Sequence, residues 1–225
     1  GHLNLDRLIK KHSRLETSGN ARSIPLSWLL SLSEDASAKV SSTLTLGGDW
    51  SLRADHALSG EAHIYREDGD ITLVGEENRF RLRLNALDVR ALFSNSNMDV
   101  HLKASSNRLG DTDASLKTRL AYRHGSWGIF KDSPIQLALK SEMPSIRWIG
   151  FLTGQPDLDL SGSLSADIHG SGTFGTPRLS GTVAMREFGV DWPSNGVHLD
   201  RGELSASLEG NRLTITKGTV YGEEG

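Results

Sequence analysis

The chain contains no cysteine. That excludes disulfides, thiolate metal sites and cysteine nucleophiles, and leaves the cellular compartment open. It also lacks an excess of positive charge. The formal net charge is -3 and the pI is near 6.3, so nothing in the balance suits a phosphate backbone and nucleic acid is not an expected partner. No run approaches the roughly 18 consecutive apolar residues of a membrane-spanning helix. No secretory leader is visible, and Gly1 and His2 read as a remnant of cloning. The sequence stops at Glu223-Glu224-Gly225, just after a strand pattern. The chain is therefore expected to be a piece of a longer protein. Aromatics are sparse at 6%, and leucine outnumbers the β-branched residues that strands prefer. A compact sandwich would be richer in valine, isoleucine and aromatics. The composition hints at a broad greasy face not wholly covered by protein.

What the sequence has in quantity is alternation. From Leu158 to Phe174 the apolar residues and glycines fall on even positions. Asp159, Ser161, Ser163, Ser165, Asp167, His169, Ser171 and Thr173 lie between them. A period of two puts one face in grease and one in water, which is a β-strand pattern. Shorter versions recur from Val40 to Val220, separated by turn dipeptides at roughly 8–12-residue spacing, as in sandwiches, barrels or solenoids. Asp68-Gly69 reads as a hairpin returning through Ile71 and Leu73. Glu76-Glu77-Asn78 reads as a turn before Phe80, Leu82 and Leu84. Ala114, Leu116, Leu120 and Tyr122 read as one long strand, and Arg201-Gly202 as a break between two. Consecutive strands should pair antiparallel.

Helices are expected over Leu5–His12 and Pro25–Leu32, and a short irregular or helical piece over Leu87–Phe93. Pro144 to Leu152 is apolar without alternation and predicts one short helix. The expected organisation is a helical or irregular segment over 1–39. A single elongated β domain follows over 40–225, with a helical interruption near 144–153.

Motifs that invite chemistry lack their context. Gly170-Ser171-Gly172-Thr173-Phe174-Gly175 spells G-x-G-x-x-G, but phosphate cradling needs a helix to start there. Pro177 and another alternating run follow instead. The histidines form no H-x-H or H-E-x-x-H spacing; His56 and His63 could meet across a hairpin. Asp157, Asp159 and Asp167 could pair as in glycoside hydrolysis, but their phase points them to water. The acidic turns Glu67 to Asp70 and Asp111 to Asp113 lack calcium-loop spacing. There is no G-x-S-x-G elbow. The residues alone predict no enzyme, no cofactor and no metal.

Two stretches carry a family likeness. One is Leu46-Gly47-Gly48-Asp49-Trp50-Ser51-Leu52-Arg53-Ala54, continuing through Leu58-Ser59-Gly60 to Arg66-Glu67-Asp68-Gly69-Asp70-Ile71-Thr72-Leu73. The other runs from Leu160-Ser161-Gly162-Ser163-Leu164 through Gly172-Thr173-Phe174-Gly175-Thr176-Pro177-Arg178-Leu179-Ser180-Gly181-Thr182-Val183. Trp192-Pro193, Asp200-Arg201-Gly202-Glu203-Leu204 and Arg212-Leu213-Thr214-Ile215 extend it. From about Val40 onward the chain resembles the TamB family of the AsmA-like group, the inner-membrane part of the translocation and assembly module of Gram-negative bacteria. The resemblance implies a mostly β, elongated and curled antiparallel meander, an open half-pipe shaped like a taco shell. It also implies a periplasmic location, with the full-length protein anchored in the inner membrane through parts absent here. The implied role is carriage of phospholipid toward the outer membrane and support of outer-membrane protein assembly with a TamA-like barrel protein. No catalytic residue comes with it.

Two functions are open on this reading. In the first, phospholipid acyl chains lie along a groove lined by Leu52, Leu82, Leu84, Val100, Leu102 and Leu116. Leu137, Leu139, Leu160, Leu164, Ile168, Leu179, Val183, Leu204, Leu208 and Leu213 would continue it. In the second, the same leucines are the dry core of a closed sandwich or solenoid, and exposed edge strands bind an outer-membrane barrel protein.

Overall fold

The computed structural model describes residues 1–11, 14–30, 40–74, 79–123, 125–153, 155, 157–210 and 212–221. The chain opens with β1 (His2–Lys11), β2 (Arg14–Pro25), helix α1 (Leu26–Leu30), β3 (Val40–Ser42), β4 (Thr45–Ala54) and β5 (Leu58–Asp68). Next come β6 (Ile71–Val74), β7 (Arg79–Arg81), β8 (Leu84–Ser94), β9 (Asn97–Ser106) and β10 (Gly110–Arg119). The short strands β11 (Ala121–Arg123) and β12 (Ser126–Gly128) precede β13 (Ile135–Met143) and helix α2 (Arg147–Thr153). The last elements are β14 (Asp159–Thr173), β15 (Thr176–Trp192), a 3-10 turn (Pro193–Asn195), β16 (Val197–Gly210) and β17 (Arg212–Tyr221).

Twelve strands form one sheet in the order β1-β2-β4-β5-β8-β9-β10-β13-β14-β15-β16-β17. Every neighbouring pair is antiparallel. β1 and β17 lie at opposite edges, and no described strand pairs with the outer side of either, so the sheet does not close on itself. Two excursions leave it. β3, β6 and β7 make a three-stranded sheet, and β11 pairs only with β12.

The period of two explains most strands. Local shifts of register explain where the sequence misleads. Residues 5–11 are strand, not helix. Leu5 pairs with Gly19 and Leu8 with Thr17, with a register shift between Leu5 and Arg7. That bulge puts two leucines three residues apart on one face, which imitates a helical stripe. Residues 2–11 and 14–25 thus supply two strands of the main sheet, and His12 lies outside the described residues. Leu87 to Phe93 is likewise strand: Leu87, Val89, Ala91 and Phe93 alternate on one face, and the exposed Leu92 on the other hides the pattern. The helix expected over Pro25–Leu32 is α1, which begins only after Pro25; Leu32 lies outside the described residues. The helix expected near Pro144–Leu152 is α2.

Asp68-Gly69 is not a hairpin. Gly69 has φ +80°, and a Cβ there would meet the Thr43 carbonyl at 2.0 Å. This turn carries the chain out of the main sheet, so β5 pairs with β8 while β6 joins β3 and β7. Leu120 separates β10 from β11, so Leu116 and Tyr122 belong to different sheets. Arg201-Gly202 is a bulge inside β16, not a break. The turn expected at Glu76-Glu77-Asn78 lies outside the described residues.

The dry core sits at one end. Leu73, Phe80 and Leu82 form a buried cluster, with Ile71, Leu84, Leu109 and Trp148 packed around it. Leu44 and Ile146 are each only 1% exposed. Asp70 joins this cap to the main sheet: its carboxylate accepts the backbone N–H groups of Ile71, Arg83 and Leu84 at 2.8, 3.0 and 3.1 Å. Three such bonds fix the exit from the small sheet into β8.

Candidate functional site: one apolar face

Directly paired residues in an antiparallel sheet share a face. One row crosses all twelve strands: Leu3, Ala21, Gly48, Ile64, Val89, Leu102, Ala114, Leu139, Ile168, Gly181, Leu208 and Leu213. Every member is apolar or glycine. A second row on the same face runs Leu5, Gly19, Trp50, Ala62, Ala91, Val100, Leu116, Leu137, Gly170, Leu179 and Gly210. Shorter rows flank these two. One holds Leu52, Phe93 and Met98; another holds Met143, Leu164, Met185 and Leu204.

Most of the candidate lining residues fall on this face, and fourteen of the sixteen are half-buried rather than buried. Leu213, on edge strand β17, is 61% exposed. Leu82 departs from the expectation: it lies between β7 and β8, outside the main sheet, and is buried in the end cap. Leu84 belongs to β8 but packs against that cap. Val183 sits with Ala166 and Ala206 beside Ser141. Ser141 is buried, and its hydroxyl meets Thr112 Oγ1 at 2.8 Å. Leu160 pairs with Val190 beyond a bulge.

Sequence reading missed Leu3, Leu5, Leu8, Trp50 and Ile64 as members of the face. The first three were hidden by the bulge in β1. Trp50 and Ile64 carried the alternation all along. The Trp50 indole N–H donates to Thr17 Oγ1 at 3.1 Å, which satisfies the one polar atom it brings to this face.

The opposite face is charged. Asp88, Lys103, Asp113, Lys140 and Asp167 make one row of alternating sign. Asp49, His63, Arg90 and His101 make the next. His63 Nε2 lies 2.7 Å from Asp88 and Nδ1 lies 3.5 Å from Asp49. The His63 hydrogen bond holds the Asp88 carboxyl below the usual carboxylate range, and Arg90 adds to it. At the β1–β2 end, hydrogen bonding from Arg14 lowers Glu16 in the same sense. Such exposed pairs add little to stability. Their larger effect is to keep this side wet.

The other candidate motifs resolve into structure. The G-x-G-x-x-G stretch is the end of β14 and a two-residue turn into β15, with no helix behind it. Asp159 takes a bidentate bond from Arg147 at 2.9 and 2.8 Å. The Ser194 hydroxyl, and then the Ser194 backbone N–H at 2.8 Å, donate to Asp157 and lower its pKa. His56 is exposed in the β4–β5 turn and does not meet His63. Among the described residues no three His, Asp or Glu side chains gather as a metal site. No described helix is long and apolar enough to cross a membrane. Comparison of the chain with family models, curated proteins and solved structures returns no match.

Proposed function

We propose that this chain is a segment of a periplasmic bridge, and that the apolar face of its sheet carries phospholipid acyl chains between the inner and outer membranes. The observation that supports this most is the row from Leu3 to Leu213, apolar or glycine at every one of twelve strands, with its side chains left half-buried at most central strands and exposed at Leu3, Ile64 and Leu213. An apolar sheet face normally finds a second layer. Here the described cap covers one end of it. An acyl chain supplies the missing cover, at about 0.8 kcal/mol for each methylene removed from water. A channel open along its length lets the charged headgroup remain hydrated.

The half-pipe curl belongs to the same proposal. Gly162, Glu187 and Arg201 have φ of 109°, 51° and 51° and mark register irregularities at one level of β14, β15 and β16. Bulges bend and twist their strands. Three side by side would fold the sheet about a line across them. The TamB-family resemblance adds the periplasmic setting and the inner-membrane anchor outside this chain.

The experiment is extraction and mass spectrometry of protein purified without detergent. Co-purifying phospholipid is the expected result. A lipid-free, monodisperse monomer would overturn the groove. It would favour the second reading, in which the edges bind a TamA-like outer-membrane barrel protein. One observation supports that reading: the apolar side chains of both edge strands are exposed, Leu3 at 70% and Ile215 at 62%.

A further inference from the structure

The end of the sheet opposite the dry cap has a chemistry of its own. The β11–β12 hairpin lies between β10 and β13 in sequence and pairs with neither. Tyr122 and Trp127 face each other across it at 5.6 Å, and Tyr122 is 61% exposed. Arg123 stacks over Phe130 at 4.5 Å and is bonded through both guanidinium arms to Asp132. The turn between β14 and β15 is stitched to this loop. Phe174 donates its N–H to Ser133 O at 2.9 Å, and Gly175 donates to Lys131 O at 2.8 Å. Those bonds hold the Phe174 side chain at the tip, 57% exposed.

Cations surround these rings. Arg119, Lys131 and Arg178 are exposed at this end, and among the described residues none of the three forms an ion pair with an acid. Asp132, the acid of this loop, is already neutralised by Arg123. Farther along the same end stand Lys10 and Lys11, and Arg212 opposite Glu209. The whole chain carries -3, so the positive charge here is local.

We propose that this tip docks onto the surface of an anionic phospholipid bilayer. Exposed aromatics ringed by Lys and Arg suit a membrane interface: the rings settle among headgroups and the cations meet lipid phosphates. The uncapped rim of the apolar face would then lie against the bilayer from which acyl chains come or to which they go. That use rests on the groove reading, while vesicle binding itself does not.

The test is co-sedimentation with vesicles of phosphatidylcholine, with and without phosphatidylglycerol. Wild type should bind the phosphatidylglycerol vesicles, more weakly as salt is added. Lys131→Glu with Arg178→Glu should weaken that binding about tenfold or more. Phe174→Ser with Tyr122→Ser should weaken binding to both compositions. All four side chains are exposed, so the variants should melt with wild type and keep their co-purified phospholipid. Wild type that fails to sediment with phosphatidylglycerol vesicles overturns the proposal, as do variants that bind like wild type. Vesicle binding by protein that purifies free of lipid would sink the groove and leave the tip standing.

Discussion

Replacing Ile168 with aspartate is expected to strip the protein of phospholipid while lowering its melting temperature by only about 2–4 °C. Ile168 lies in the middle row of the apolar face, between Leu139 and Gly181. It is half-buried, and its neighbour on one side has no side chain. Without lipid, a carboxylate there is still reached by water, so folding loses about 1 kcal/mol of apolar contact. With an acyl chain laid over it, the same carboxylate must be desolvated without a partner, which costs several kcal/mol. The penalty falls on the occupied state, so occupancy should drop at least about tenfold, as that cost implies. His169→Asp places the same charge one residue along on the wet face and should leave lipid content unchanged. Melting temperature and extracted phospholipid, measured on the same preparations, separate the outcomes. Gross unfolding of the Ile168 variant, with lipid retained in the folded fraction, would contradict the account.

Truncating the same residue type at two places should give very different stabilities. Leu44→Ala removes a side chain that is 1% exposed in the end cap. It should cost about 2–5 kcal/mol, the range for a leucine cavity in a dry core, or roughly 10 °C in a chain of this size. Leu139→Ala removes a half-buried side chain from the centre of the apolar face. Water or lipid refills that space, and only part of the transfer energy is lost, about 1 kcal/mol. Denaturant midpoints on lipid-free protein give both numbers. If Leu139 costs as much as Leu44, the face is covered by protein.

Much of this architecture could be read from period two. The longest alternating run became β14, and most of the predicted lining residues lie on one face because a strand cannot alternate any other way. Two of the readings that failed share a cause. Bulges change the phase of a strand without ending it. At Asp6 the extra residue made Leu5 and Leu8 look helical; at Arg201 it made one strand look like two. The cap was illegible for a different reason. Leu73, Phe80 and Leu82 alternate just as Leu102 and Leu116 do. Only the departure at Gly69 sends the first group into a dry cluster. Nothing local in the sequence marks that excursion, because Asp68-Gly69 is also what a hairpin would use. The tip was hidden too, since Phe174 and Lys131 are brought together by backbone bonds between segments distant in the chain.

The most direct test compares two adjacent residues on a central strand. Leu116 lies on the apolar face and Lys117 on the charged one. A photo-reactive benzophenone side chain is placed at each position in turn, and the protein is irradiated in cells and analysed for attached lipid. Phospholipid coupled at position 116 and absent at 117 is the predicted result. Equal labelling at both positions, or none at 116 in folded protein, would contradict a hydrocarbon path along this face.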